Sequence, residues 1–144
     1  MYRRILVPID GGELSDRAIH ASIELALQLG AAITGFVVGP VPSVFGRSHQ
    51  PVDEEDADQL TTTTSGHQAL AKFESLALAA GVTYEGYYHE GPRVDRAIIE
   101  VAESHGCDLI VMVTHGRGAF GEFLYGSQTK AVLAGSRLPL LILK

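Results

Sequence analysis

The chain has 144 residues, of which 46% are hydrophobic, and a formal net charge of −6. That length suits one domain spanning 1–144, which buries roughly 70% of its unfolded surface, and the apolar content excludes global disorder. An acidic chain with no basic cluster argues against nucleic acid or an anionic membrane as partner, so an anionic ligand needs a site built locally from backbone N–H groups or a few cations.

The N-terminal Met1-Tyr2-Arg3-Arg4 precedes the apolar run Ile5-Leu6-Val7-Pro8. The run is too short for a signal sequence and stops at Asp10-Gly11-Gly12, so it reads as a buried strand and turn, Ile5–Ile9. No stretch of 18 apolar residues follows anywhere, which excludes a helix through a bilayer and makes the cytoplasm the expected compartment. After Ser15, apolar residues from Ala18 to Leu29 recur at helical spacing, and Gly30 is a stop signal. Ile33–Val38 reads as the second strand, ended by Gly39-Pro40.

Residues 39–57 read as a loop with a solvated acidic run, Asp53-Glu54-Glu55-Asp56. A helix is expected from about Asp58 to Ala80, weakened at its start by the threonines 61–64 and closed by Gly81. Val82–Tyr88 reads as a strand, with Tyr84, Tyr87 and Tyr88 as strand and edge residues. Gly91-Pro92 opens a helix with Val94, Ala97, Ile98, Val101 and Ala102 on one face and Gly106 at its end. Cys107, the lone cysteine, precludes an intrachain disulfide and reads as a small core residue. Leu109–Val113 is continuously apolar, the pattern of a strand covered on both faces. A short helix from Gly126-Ser127 to about Ser136 and a last strand, Leu138–Leu143, complete the chain.

Strands alternating with helices predict an α/β fold. It is a five-stranded, doubly wound, mostly parallel sheet with helices on both faces. With strand order 3-2-1-4-5, the first and fourth strands flank the switch point, where ligands sit beyond the carboxyl ends. Asp10 and the segment starting at Val113 then face one another.

His115 to Gly121 contains a literal G-x-G-x-x-G, Gly116 to Gly121. The dinucleotide fingerprint belongs after a first strand and needs an acidic residue about 20 positions on. Here it follows the fourth strand, and position 141 is leucine, so the match is incidental. More informative is Gly116, nine residues, then Gly126-Ser127 at a helix start. Glycine admits backbone N–H groups close to a phosphate, and a helix N-terminus adds free donors and a favourable dipole. Ser127 can cap the helix or bind a phosphate oxygen, and Arg117 can add charge. On spacing alone, a phosphate site and a plain turn with an N-cap are equally good readings. The six histidines show no metal-ligand spacing, and no Ser-His-Asp set can be nominated.

The segments Ile5–Gly11, Asp108–Met112, Thr114–Arg117, Gly126-Ser127 and Pro139–Leu143, in this order, closely resemble the universal stress protein family. The resemblance covers essentially the whole chain and is weakest over 41–57. It implies an adenine nucleotide α-hydrolase-like fold and ATP, with Mg²⁺, at the switch point. It also implies a homodimer through the last strand and a protein partner that residues cannot identify. The ATP-binding branch carries G-x-x-G, nine residues, then G-[ST]. Here Gly116 and Gly126-Ser127 match, whereas Val113 replaces the first glycine and Gln128 replaces a usually apolar residue. The set this resemblance nominates is Pro8, Ile9, Asp10, Val37, Met112, Val113, Gly116, Arg117, Gly118, Gly126, Ser127 and Gln128. Asp10 lies near adenine and ribose, and the backbone of Val37 meets the adenine. The alternative reading of Asp10 is a turn cap before Gly11-Gly12.

Three functions are therefore carried forward. The first is a nucleotide-binding stress-response regulator with at most slow ATP hydrolysis, since no general base can be named. The second is a member of the same family that has lost the nucleotide, for which Val113 is the main support. The third is an adenylating enzyme of the ATP pyrophosphatase type. Its only support is Asp10–Ser15, which departs from the S-G-G-x-D-S loop at Asp10 and Leu14.

Overall fold

The computed structural model describes residues 1–39, 54–113 and 126–144; for Glu13, 54–64 and 126–127 it describes the backbone alone. In chain order the elements are β1 (Arg4–Pro8), α1 (Glu13–Leu29), β2 (Ala32–Gly39), α2 (Glu54–Ala79) and β3 (Tyr84–Glu90). There follow α3 (Val94–Ser104), β4 (Leu109–Val113), α4 (Gly126–Gly135) and β5 (Leu140–Leu143). All strand pairs are parallel and the sheet order is β3-β2-β1-β4-β5, as the alternating pattern predicts.

Strand alternation divides the core into two layers. On one face Ile5, Val7, Ile33, Val37 and Val111 pack against Ile19 and Ile23 of α1 and Phe73 and Ala77 of α2. On the other, Leu6, Phe36 and Ile110 meet Ala97, Ile98 and Ala102 of α3 and Val132 of α4. Cys107 is buried in this second layer, and burial pushes its thiol above the usual cysteine range, which keeps it protonated and inert. Gly30, Gly81 and Gly106 each take positive φ just past a helix end.

The Asp108 carboxylate accepts hydrogen bonds from the backbone N–H of Arg3 at 2.8 Å and of Arg4 at 3.0 Å. It ties the start of β4 to the start of β1 and so fixes which carboxyl ends lie side by side.

Several boundaries differ from expectation. Helix α2 starts at Glu54, inside the acidic run expected in a loop, because carboxylates in a first helical turn complement the N-terminal dipole. Strand β3 runs two residues later than expected, from Tyr84 to Glu90, following its register with β2 from Ile33↔Tyr84 to Gly39↔Glu90. Strand β5 starts at Leu140. Pro139 accepts from Ile110 N–H at 3.0 Å but has no N–H to return to a ladder. No described helix is long and apolar enough to cross a membrane.

Candidate functional site

The sheet opens at its switch point. Strand β1 is in register with β2 as far as Pro8↔Phe36, and β4 with β5 as far as Val113↔Leu143. Between β1 and β4 the register covers only Ile5↔Leu109 and Leu6↔Ile110. Beyond those pairs a cleft of about 320 Å³ lies at the carboxyl ends of the two strands. This volume is at the small end of the range for small-molecule sites.

The cleft is built from both core layers. Pro8 and Ile9 of the first strand segment, with Met112 and Val113 of β4, form its floor and sides. Phe36 and Val38 enter from β2, Val94 and Ile98 from the first half of α3, and Leu14 and Ala18 from α1. Its described polar side chains are Asp10, Ser15 and Gln128.

Asp10 is held by its own turn. Its Oδ1 accepts from the Gly12 backbone N–H at 2.8 Å and from the Ser15 hydroxyl at 3.2 Å, while Ser15 Oγ accepts from Gly11 N–H at 2.9 Å. This is the Asx-type cap weighed above, and it does not exhaust the carboxylate. Among the described residues no donor reaches Oδ2, so one oxygen of an exposed side chain remains an acceptor at the cleft. Gly11 makes the turn possible. Its φ is +82°, and a Cβ there would stand 2.9 Å from the backbone carbonyl carbon and oxygen of Ser65 in α2. The Asp10 loop therefore lies directly on the α2 backbone.

Of the nominated residues, Pro8, Ile9, Asp10, Met112, Val113 and Gln128 converge on this cleft. Gly126 and Ser127 are the first two residues of α4, described in backbone only, and Gln128 on the next position lines the cleft. Gly116, Arg117 and Gly118 lie outside the described residues, as does His115. The Val37 side chain is buried on the α1–α2 face, over Gly66; the side chains that β2 gives the cleft are its neighbours Phe36 and Val38. Sequence reasoning missed those two, together with Leu14, Ser15, Ala18, Val94 and Ile98. Six of these seven are apolar residues at ordinary core spacing, indistinguishable in sequence from fully covered ones. Ser15 carried a signal, because it stands five residues after Asp10 in a glycine-bearing turn.

Among the described lining side chains Asp10 is the only charged one. Among the described residues no group of three or more His, Cys, Asp or Glu side chains is placed to hold a metal.

A family model described as the universal stress protein family matches residues 1–144. The chain is 31% identical over 145 residues to a universal stress protein of Thermus aquaticus, covering 100% of both chains. A universal stress protein solved in complex with cAMP superposes with a TM-score of 0.68 at 21% identity, covering 98% of this chain and 95% of that one. One from Archaeoglobus fulgidus in complex with dAMP gives 0.63 at 19% identity, covering 99% and 98%.

Proposed function

The chain belongs to the universal stress protein family, and from that premise we propose that its cleft binds an adenine nucleotide, ATP with Mg²⁺ in the first instance. The observation that carries this reading is the cleft itself. It lies where parallel α/β sheets hold ligands, with an apolar wall suited to a base, a carboxylate acceptor suited to ribose hydroxyls, and the first turn of α4 for phosphate. Gly116, Arg117, Gly118 and the Gly126-Ser127 pair are the proposed phosphate contacts. The backbone of Val37 is proposed to meet the adenine. The solved relatives with cAMP and dAMP support the ligand class.

In this reading the protein is a regulator. Nucleotide binding orders the loops around the cleft and changes association with a protein partner. The functional unit is a cytoplasmic homodimer paired through β5. No residue is assigned as a general base for hydrolysis.

A second reading rests on Val113. Its side chain lines the cleft at the position where nucleotide-binding members carry glycine. It supports a protein that has lost the nucleotide and works through protein contacts alone. Calorimetric titration with ATP and ADP separates the two, run beside a Gly116→Asp, Ser127→Ala double variant. The first reading expects saturable binding that the double variant loses. Absence of binding at millimolar ATP overturns the first reading and favours the second, and binding unchanged in the double variant puts the site elsewhere.

A further inference from the structure

The described cleft is chemically lopsided. Asp10 brings a negative charge and a free acceptor oxygen at the end of β1. An anionic group seated beside it would be repelled, and more strongly where water is excluded. The anionic part of a ligand must therefore lie away from Asp10. Among the described lining side chains only Ser15 and Gln128 carry hydrogen-bond donors, and the Ser15 hydroxyl is already given to Asp10. That leaves the Gln128 amide, on the third residue of α4, where the backbone N–H groups of the first turn also lack intrahelical acceptors and the helix dipole is positive.

From this arrangement, and resting on the nucleotide reading above, we infer that Gln128 is a specificity-determining residue. Its side-chain amide donates to the phosphate end of the ligand and so makes the cleft prefer a phosphorylated nucleoside to the neutral one.

The position allows a clean test. Glutamate at the third position of a helix is favourable to the helix, so Gln128→Glu should fold as well as the parent while turning the donor into an anion. Gln128→Val removes the donor without adding charge. ATP and adenosine are titrated calorimetrically into all three proteins, with thermal melts as the control for folding. The expected result is a fall in ATP affinity of about tenfold or more for Gln128→Glu and a smaller fall for Gln128→Val, the scale of a hydrogen bond to a charged group. Adenosine affinity should stay within about twofold of the parent in both. ATP affinity unchanged in both variants overturns the inference and leaves the nucleotide reading standing. Equal weakening of adenosine and ATP also overturns it, because Gln128 then serves the nucleoside. A parent protein that binds neither ligand overturns both.

Discussion

At the scale of single residues, Gly11 is the most constrained position near the cleft. Its positive φ costs any L side chain about 1–2 kcal/mol, and the contact with the Ser65 backbone cannot relax by a rotamer change. Gly11→Ala should therefore lower stability by about 2 kcal/mol or more, read as a shifted urea midpoint at unchanged slope. Tyr84 offers a pH-dependent counterpart. Burial, with Glu74 nearby, raises its phenol above the ordinary value, and its hydroxyl donates to the Leu70 carbonyl at 3.4 Å. A folded-state pKa above the unfolded value of about 10 means full stability below pH 10 and a decline above it, as only the unfolded chain releases the proton. Tyr84→Phe should flatten the decline between pH 10 and 11 in unfolding measurements. Equal alkaline slopes in both proteins would contradict this assignment.

At the scale of elements, the β2–β3 seam depends on backbone space. A side chain at Gly35 would run into the Tyr84 phenol, whose ring also packs on Phe73 with centroids 4.9 Å apart. Gly35→Val should destabilise by about 1–3 kcal/mol, as overpacking does, and a shortened Tyr84 side chain should recover part of that loss in a double-mutant cycle. The elements themselves were largely legible. Runs such as Leu109–Val113 and stop signals such as Gly30 and Gly106 carry local chemistry that the chain obeys. Two boundaries moved for local reasons, the acidic first turn of α2 and the missing N–H of Pro139 before β5, whereas β3 took its limits from its neighbour β2. The site was legible where a residue's type is unusual for its place, as with Asp10 at a strand end. It was not legible where function rests on an ordinary apolar residue. Val37 and Val38 look alike in sequence, and only the parity of the strand sends one into the core and the other to the cleft.

At the scale of the whole molecule, the two sheet edges differ in character. Strand β3 ends in the exposed, polar His89 and Glu90, whereas all four residues of β5 are apolar and half-buried. An apolar edge of this kind invites another strand, which is the physical basis of the homodimer proposed above. Ile142→Asp places a charge on that edge at a residue outside both described core layers. Sedimentation should show it shifted towards monomer with its thermal stability changed little; an unchanged mass would place the contact elsewhere. The short register between β1 and β4 has a mechanical meaning of its own. The sheet is two ribbons, β3-β2-β1 and β4-β5, joined by a seam that is zipped at one end and unzipped at the other. A molecule lodged in the unzipped end acts as a keystone, supplying contacts across a gap that the backbone leaves open. Its arrival should slow amide hydrogen exchange on both lips of the seam, at Ile9–Asp10 and Met112–Val113, and leave the far edge of β3 as it was.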